Sequence, residues 1–332
     1  MTHFAMRERG ATIPAAGHVR HVRRRPVEGL LALVAFGVAL LGFMAAPARG
    51  PRLAGPQLAT AATARPLPPS LNAYGSLLAP PAQRVDPPLH QPLTSGMLFN
   101  VVTGRVLWAR RPDRVLPIAS LTKMMTALVV VADSRPSDRV LITPAAVHFT
   151  GSGVGLLPLG KRVSELALLY GLLLPSGNDA AIALAQHVAG TQAAFVAMMN
   201  ARARQMNLRC THFASVSGVV DRGNHSCAAD LAVLARAVLD HPLLATIVAS
   251  HSAILPFPIK GGKLFLYNNN PLLMSGYRGT DGLKTGFTTL AGQCLVATAR
   301  RGPTWLGVVL LHSADTADEA QTLLNDGFAR RS

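Results

Sequence analysis

Eighteen consecutive residues, Val115 to Ala132, carry a single charge, that of Lys123. The stretch VLPIASLTKMMTALVVVA is otherwise apolar or small, and it predicts a helix that ends in a core. An unpaired ammonium there costs several kcal/mol or surrenders its proton. Ser120 stands three residues earlier, and positions i and i+3 share a helix face. Pro117 supports a helix start just upstream, where the positive end of the helix dipole lies. A serine hydroxyl becomes a nucleophile only when a base takes its proton. A lysine can be that base only when burial or a second cation lowers its pKa. Taken alone, the pair also reads as an N-cap serine with a snorkelling lysine.

The rest of the 332-residue chain supplies context. Lys and Arg outnumber Asp and Glu by 32 to 16, yet no compact basic block occurs in the body of the chain. That argues against nucleic-acid binding and suits anionic lipid or an anionic cell-wall polymer. The N-terminus has the basic cluster HVRHVRRRP and then an uncharged run from Gly29 to Ala48. Residues 1–48 therefore read as a signal peptide or an uncleaved membrane anchor that places the remainder of the chain outside the cytoplasm. Residues 49–92 are rich in Pro and Ala and read as a linker. From residue 93 to 332 the pattern is a hairpin around Thr103-Gly104, a helical middle, late strands and a closing helix. It predicts an α+β domain whose antiparallel sheet contains both ends of the domain, flanked by a helical cluster. Cys210, Cys227 and Cys294 show no zinc spacing; three buried thiols is the preferred reading, and a Cys210–Cys227 pair the alternative.

Two further short motifs come after Ser120 and Lys123. Ser176-Gly177-Asn178 sits in a turn at the head of a strong helix pattern, where an N-cap would also suit it. Lys284-Thr285-Gly286 sits on a strand, where an exposed edge is the plainer reading. S-x-x-K, S-x-N and K-T-G in this order are the signature set of the acyl-serine penicillin-recognising enzymes. The phrases IASLTKMMTAL, GKRVSELALLYGLLLPSGNDAAIALAQHVAG, NNNPLL, GTDGLKTGFT and AGQCLVATA extend the match. From about Ser95 to Phe328 the chain resembles the D-alanyl-D-alanine carboxypeptidases of peptidase family S11, the low-molecular-weight penicillin-binding proteins.

The resemblance implies a β-lactamase/D,D-peptidase-like fold and a set of roles. Ser120 attacks the peptide, Lys123 is the general base and Ser176 relays a proton to the leaving amine. Asn178 holds the substrate amide and the Lys123 side chain. Lys284 and Thr285 address the substrate carboxylate, Lys284 also depressing Lys123. Gly286 admits the substrate backbone, and the N–H groups of Ser120 and Phe287 form the oxyanion hole. The implied partners are peptidoglycan stem peptides and β-lactams. Neither cofactor nor metal is implied, and the eleven histidines show no H-E-x-x-H; no obligate protein partner is evident.

Two positions depart from the family pattern. The expected carboxylate-binding arginine is Thr316, and an Asn-Pro before glycine is Val216-Ser217 before Gly218. The first keeps a cross-link-cutting D,D-endopeptidase open beside a carboxypeptidase. A class A β-lactamase needs a deacylating glutamate, and none lies between Glu165 and Glu319. A non-catalytic binding module would have lost at least one chemical residue; all are present.

Overall fold

The computed structural model describes residues 78–89, 93–220 and 222–330. The expected membrane segment and most of the expected linker lie outside them. Among the described residues, no single helix is long and apolar enough to cross a membrane.

A five-stranded antiparallel sheet organises the molecule. Its strands are β1 (Ser95–Asn100), β2 (Val106–Arg110), β9 (Thr280–Thr288), β10 (Gly292–Arg301) and β11 (Thr304–Ser313), in the order β2-β1-β11-β10-β9. The first strand therefore pairs with the last, Ser95 opposite Leu311 and Asn100 opposite Leu306. All six residues of β1 are buried, because both faces of the sheet are covered. Successive side chains point to opposite faces. Met97, Phe99, Val296, Val309 and Leu311 enter a large core shared with the helices. Leu98, Leu295, Ala297, Val308 and Leu310 enter a second core on the other side, with Leu323, Leu324 and Phe328 of the closing helix.

The helical side is built around α1 (Lys123–Asp133), whose residues 123–130 are all buried. Helices α3 (Glu165–Leu173), α4 (Asn178–Ala189), α5 (Gln192–Gln205) and α6 (Ala228–Asp240) surround it. The short strand β4 (Arg139–Leu141), the short helix α2 (Pro144–Val147) and β5 (Arg162–Ser164) precede α3. Helix α7 (Pro242–Ala249) continues from α6 at a bend of 103°. The ribbon β7 (Ser252–Pro256)–β8 (Lys263–Tyr267) and the short helix α8 (Pro271–Met274) lead back to the sheet. The closing helix, α9 (Thr316–Ala329), is capped by Asp315, whose carboxylate accepts from the N–H groups of Ala317 and Asp318.

Three local expectations are corrected. Pro117 does not open a helix: it pairs in the two-residue strand β3 (Leu116–Pro117) with β6 (His225–Ser226), and a 3-10 turn (Ala119–Thr122) intervenes before α1. Residues 78–89, placed in the linker by composition, lie against the sheet. Ala79 N–H donates to Val106 O, Val85 N–H donates to Leu107 O, and the Val85 side chain joins the second core. Finally, Cys210 and Cys227 form a disulfide, while Cys294 is buried outside it. No spacing rule marks two cysteines 17 residues apart, so composition alone favours free thiols.

The disulfide closes a loop that docks on the start of α1. Thr126 Oγ1 donates to Val216 O at 2.7 Å, and Asn224 Nδ2 donates to Thr122 Oγ1 at 2.6 Å. Closing a loop of this length contributes ~3 kcal/mol. The double substitution Cys210→Ser/Cys227→Ser is expected to lose about that much in urea unfolding. Non-reducing peptide mapping of the wild type should recover the linked peptides; two free thiols would contradict the bridge.

Candidate active site

Ser120 and Lys123 meet where a 3-10 turn passes into α1. Side chains three apart nearly eclipse in a 3-10 turn, and Lys123 Nζ lies 2.8 Å from Ser120 Oγ. The second contact of Nζ comes from far along the chain, Ser217 O at 2.8 Å. Lys123 has no exposed surface. Burial holds its pKa well below the usual lysine value, the nearby Lys284 lowers it further, and Asp179 acts in the opposite sense. Ala119, just before the nucleophile, has φ +47°, a left-handed backbone that non-glycine residues adopt at a cost of about 1–3 kcal/mol.

Lys284 arrives on β9, the edge of the sheet. It is buried all the same, because it stands opposite Val296, which faces the large core. Burial pushes its pKa down to about 7. Its Nζ donates to Thr285 O at 3.0 Å, and Thr285 Oγ1 donates to Asn269 Oδ1 at 2.8 Å. Gly286 brings the strand against the nucleophile's turn. A Cβ there would stand 2.9 Å from Ile118 O and 3.2 Å from Ser120 N. The missing side chain thus serves this backbone approach. Phe287 comes next, a residue 69% exposed that lines the cleft.

Ser176 and Asn178 form the third wall. Ser176 is buried with φ +67°, and its hydroxyl has no partner. Asn178 opens α4; its Nδ2 donates to Thr150 O, and its Oδ1 has no partner. The expected bond from Asn178 to Lys123 is therefore not made, and Ser217 O takes that place. Unsatisfied buried polar atoms are rare in folded proteins and call for an explanation. Here two stand in one turn beside the cleft.

Several groups escape sequence reasoning. The Ser217 carbonyl is backbone and has no residue signature, yet its segment is set by Gly218, whose φ of +79° and contact with Ala119 O leave no room for a side chain. Asp179 is buried and accepts from the N–H groups of Val154, Ala180 and Gly155 at 2.8 to 3.2 Å, folding residues 150–155 over the site. Its only signal is an acid in the first turn of a helix, easily read as dipole compensation. Thr316, in place of the family's arginine, lies at the cleft with its hydroxyl 3.4 Å from Gln293 Oε1.

These residues bound a cleft of about 460 Å³ lined by Ser120, Ser152, Ser176, Asn269, Pro271, Thr285, Gly286, Phe287, Gln293, Cys294 and Thr316. No charged side chain is among them; both ammonium groups lie behind the wall. The chain has only five lysines, so an NMR titration of lysine Cε carbons can resolve the pair. Lys284 should titrate near 7 and Lys123 far below its ordinary range. Lys284→Met should move Lys123 upward, since it removes one of the two causes of the depression. An unmoved Lys123 would show that burial acts alone.

Comparison with known proteins agrees with this geometry. The family described as D-alanyl-D-alanine carboxypeptidase, Peptidase S11, matches residues 83–315. D-alanyl-D-alanine carboxypeptidase DacD of Escherichia coli (strain K12) is 38% identical over 251 residues, covering 70% of this chain and 62% of that one. A D-alanyl-D-alanine endopeptidase of Pseudomonas aeruginosa is 36% identical over 247 residues, covering 72% and 79%. The crystal structure of a D-alanyl-D-alanine carboxypeptidase from Mycobacterium tuberculosis H37Rv superposes with a TM-score of 0.70 at 32% identity, covering 76% and 96%. The chain spans 54% of the length of DacF of Bacillus subtilis and 62% and 61% of the DacD carboxypeptidases of Escherichia coli and Salmonella typhimurium. With the motif residues gathered in and behind the wall of one cleft and the family match covering most of its length, this chain belongs to the D-alanyl-D-alanine carboxypeptidase family, Peptidase S11.

Proposed function

We propose that the protein is a serine-type D-Ala-D-Ala carboxypeptidase that trims peptidoglycan stem pentapeptides outside the cytoplasm. The observation that carries this reading is the buried Lys123, its pKa depressed, 2.8 Å from the Ser120 hydroxyl. Neutral Lys123 takes the Ser120 proton as Oγ adds to the carbonyl of the penultimate D-Ala. The N–H groups of Ser120 and Phe287 receive the developing oxyanion. Collapse breaks the peptide bond, and Ser176 passes a proton to the departing amine of the terminal D-Ala. Water then cleaves the Ser120 ester and frees the shortened stem. A β-lactam enters the same first step, and its ring amide opens onto Ser120. The N-terminal apolar run would tether the protein to the cytoplasmic membrane.

A D,D-endopeptidase is the second reading, favoured by one observation. The cleft presents Thr316 and Gln293 where the family pattern has a cation, so a scissile bond with no free carboxylate beside it is not disfavoured there. The full chain in non-ionic detergent, given a stem pentapeptide and a cross-linked muropeptide, separates the two. Release of D-Ala from the pentapeptide is expected; cleavage of the cross-link alone would overturn the carboxypeptidase. A fluorescent penicillin should label wild type and leave Ser120→Ala unlabelled.

Lys123→Arg keeps the charge but holds its proton at any working pH. Its labelling rate should fall about 10²–10⁴-fold with the circular dichroism unchanged. In the wild type, labelling should rise with pH as the ammonium loses its proton, the ascending limb lying well below the ordinary lysine range. An arginine variant that labels normally would remove Lys123 from the chemistry.

A further inference from the structure

Away from the cleft, one buried acid is left without a role. Glu165 opens α3 with no exposed surface, and neither carboxylate oxygen accepts a hydrogen bond. The Ser134 hydroxyl, which faces it, gives its proton to Val130 O at 2.7 Å. Two other side chains converge on the same point. His187 Nε2, from the last turn of α4, lies 3.8 Å from Glu165 Oε2 and 3.7 Å from Asp138 Oδ2. These separations are too long for hydrogen bonds. The three donor atoms nevertheless lie within 4.8 Å of one another.

We propose that Asp138, Glu165 and His187 bind a divalent metal ion of the zinc class. Zinc takes imidazole nitrogen and carboxylate oxygen at ~2.0–2.2 Å, so two donors on a tetrahedral ion stand ~3.4 Å apart. The two gaps to His187 need to close by only a few tenths of an ångström, and the two carboxylate oxygens, within 4.8 Å of each other, by no more than ~1.4 Å. One imidazole and two carboxylates balance a dication. His187 and Asp138 are 25% and 36% exposed, which leaves a path for the ion and for a fourth, water ligand. The ligands are scattered over 50 residues, so no spacing motif announces them.

The ion would be structural. His187 is nine residues along α4 from Asn178, ~14 Å at the helical rise, too far to touch a reacting bond. It would tie the approach to β4, the start of α3 and the end of α4. Those two helices are joined by the turn that holds Ser176.

The test uses the tag-free full chain in non-ionic detergent, stripped with a chelator under non-reducing conditions and titrated with Zn²⁺ alone. Calorimetry should show one ion per chain, and saturation should raise Tm by ~5 °C. Both effects should vanish in His187→Ala and in Asp138→Asn, whose sites are part-exposed and tolerant of change. Wild-type binding by these two variants, or a wild-type Tm that does not respond to Zn²⁺, would overturn the proposal.

Discussion

Everything at this site depends on keeping one ammonium dry. Lys123 starts a helix whose first eight residues are buried, and it does so beside a second buried lysine. Each burial costs folding free energy, and the sheet and helices on either side must supply it. The return is a lysine whose charged form is disfavoured, its pKa held well below the usual value, which is what the proposed chemistry asks of a base. Its Nζ is held by the adjoining turn through Ser120 Oγ and by the remote Ser217 carbonyl. A lysine in water could hold none of these relations, because its charge would be hydrated and its stem free.

The cleft shows the complementary arrangement. Its wall has hydroxyls, amides and backbone, with both cations withdrawn behind it. Thr316 continues that pattern at the far end, where its hydroxyl meets Gln293. Ser176 Oγ and Asn178 Oδ1 are left unmatched beside the cleft, and buried polar atoms without a partner call for an explanation.

Much of this is legible in the sequence, for definite reasons. Lys123 is conspicuous because a charge in an apolar run violates composition. The strands of the sheet are legible because they are long apolar runs, and their pairing of first with last agrees with element order. Other features have no local signature. The Ser217 carbonyl acts through backbone, so only the fold reveals it. Asp179 looks like an ordinary first-turn acid, yet it organises residues 150–155. Residues 78–89 are as Pro-rich as the linker before them, and only their hydrogen bonds to Val106 and Leu107 show that they belong to the sheet. The exposed-edge reading of Lys284 is half right: β9 is an edge strand, but its inner face is covered.

The strand order has a kinetic meaning. β9, which holds Lys284, joins the sheet only through β10, β10 only through β11, and β11 only through β1. The pairing of β1 with β11 spans some two hundred residues, and contacts of such range form late because their loop entropy is paid first. The sheet therefore cannot be completed on a growing chain; it waits until the last strand is free. The chain stays open until β11 meets β1, and only then is the β9 wall with Lys284 brought against the turn that carries Ser120.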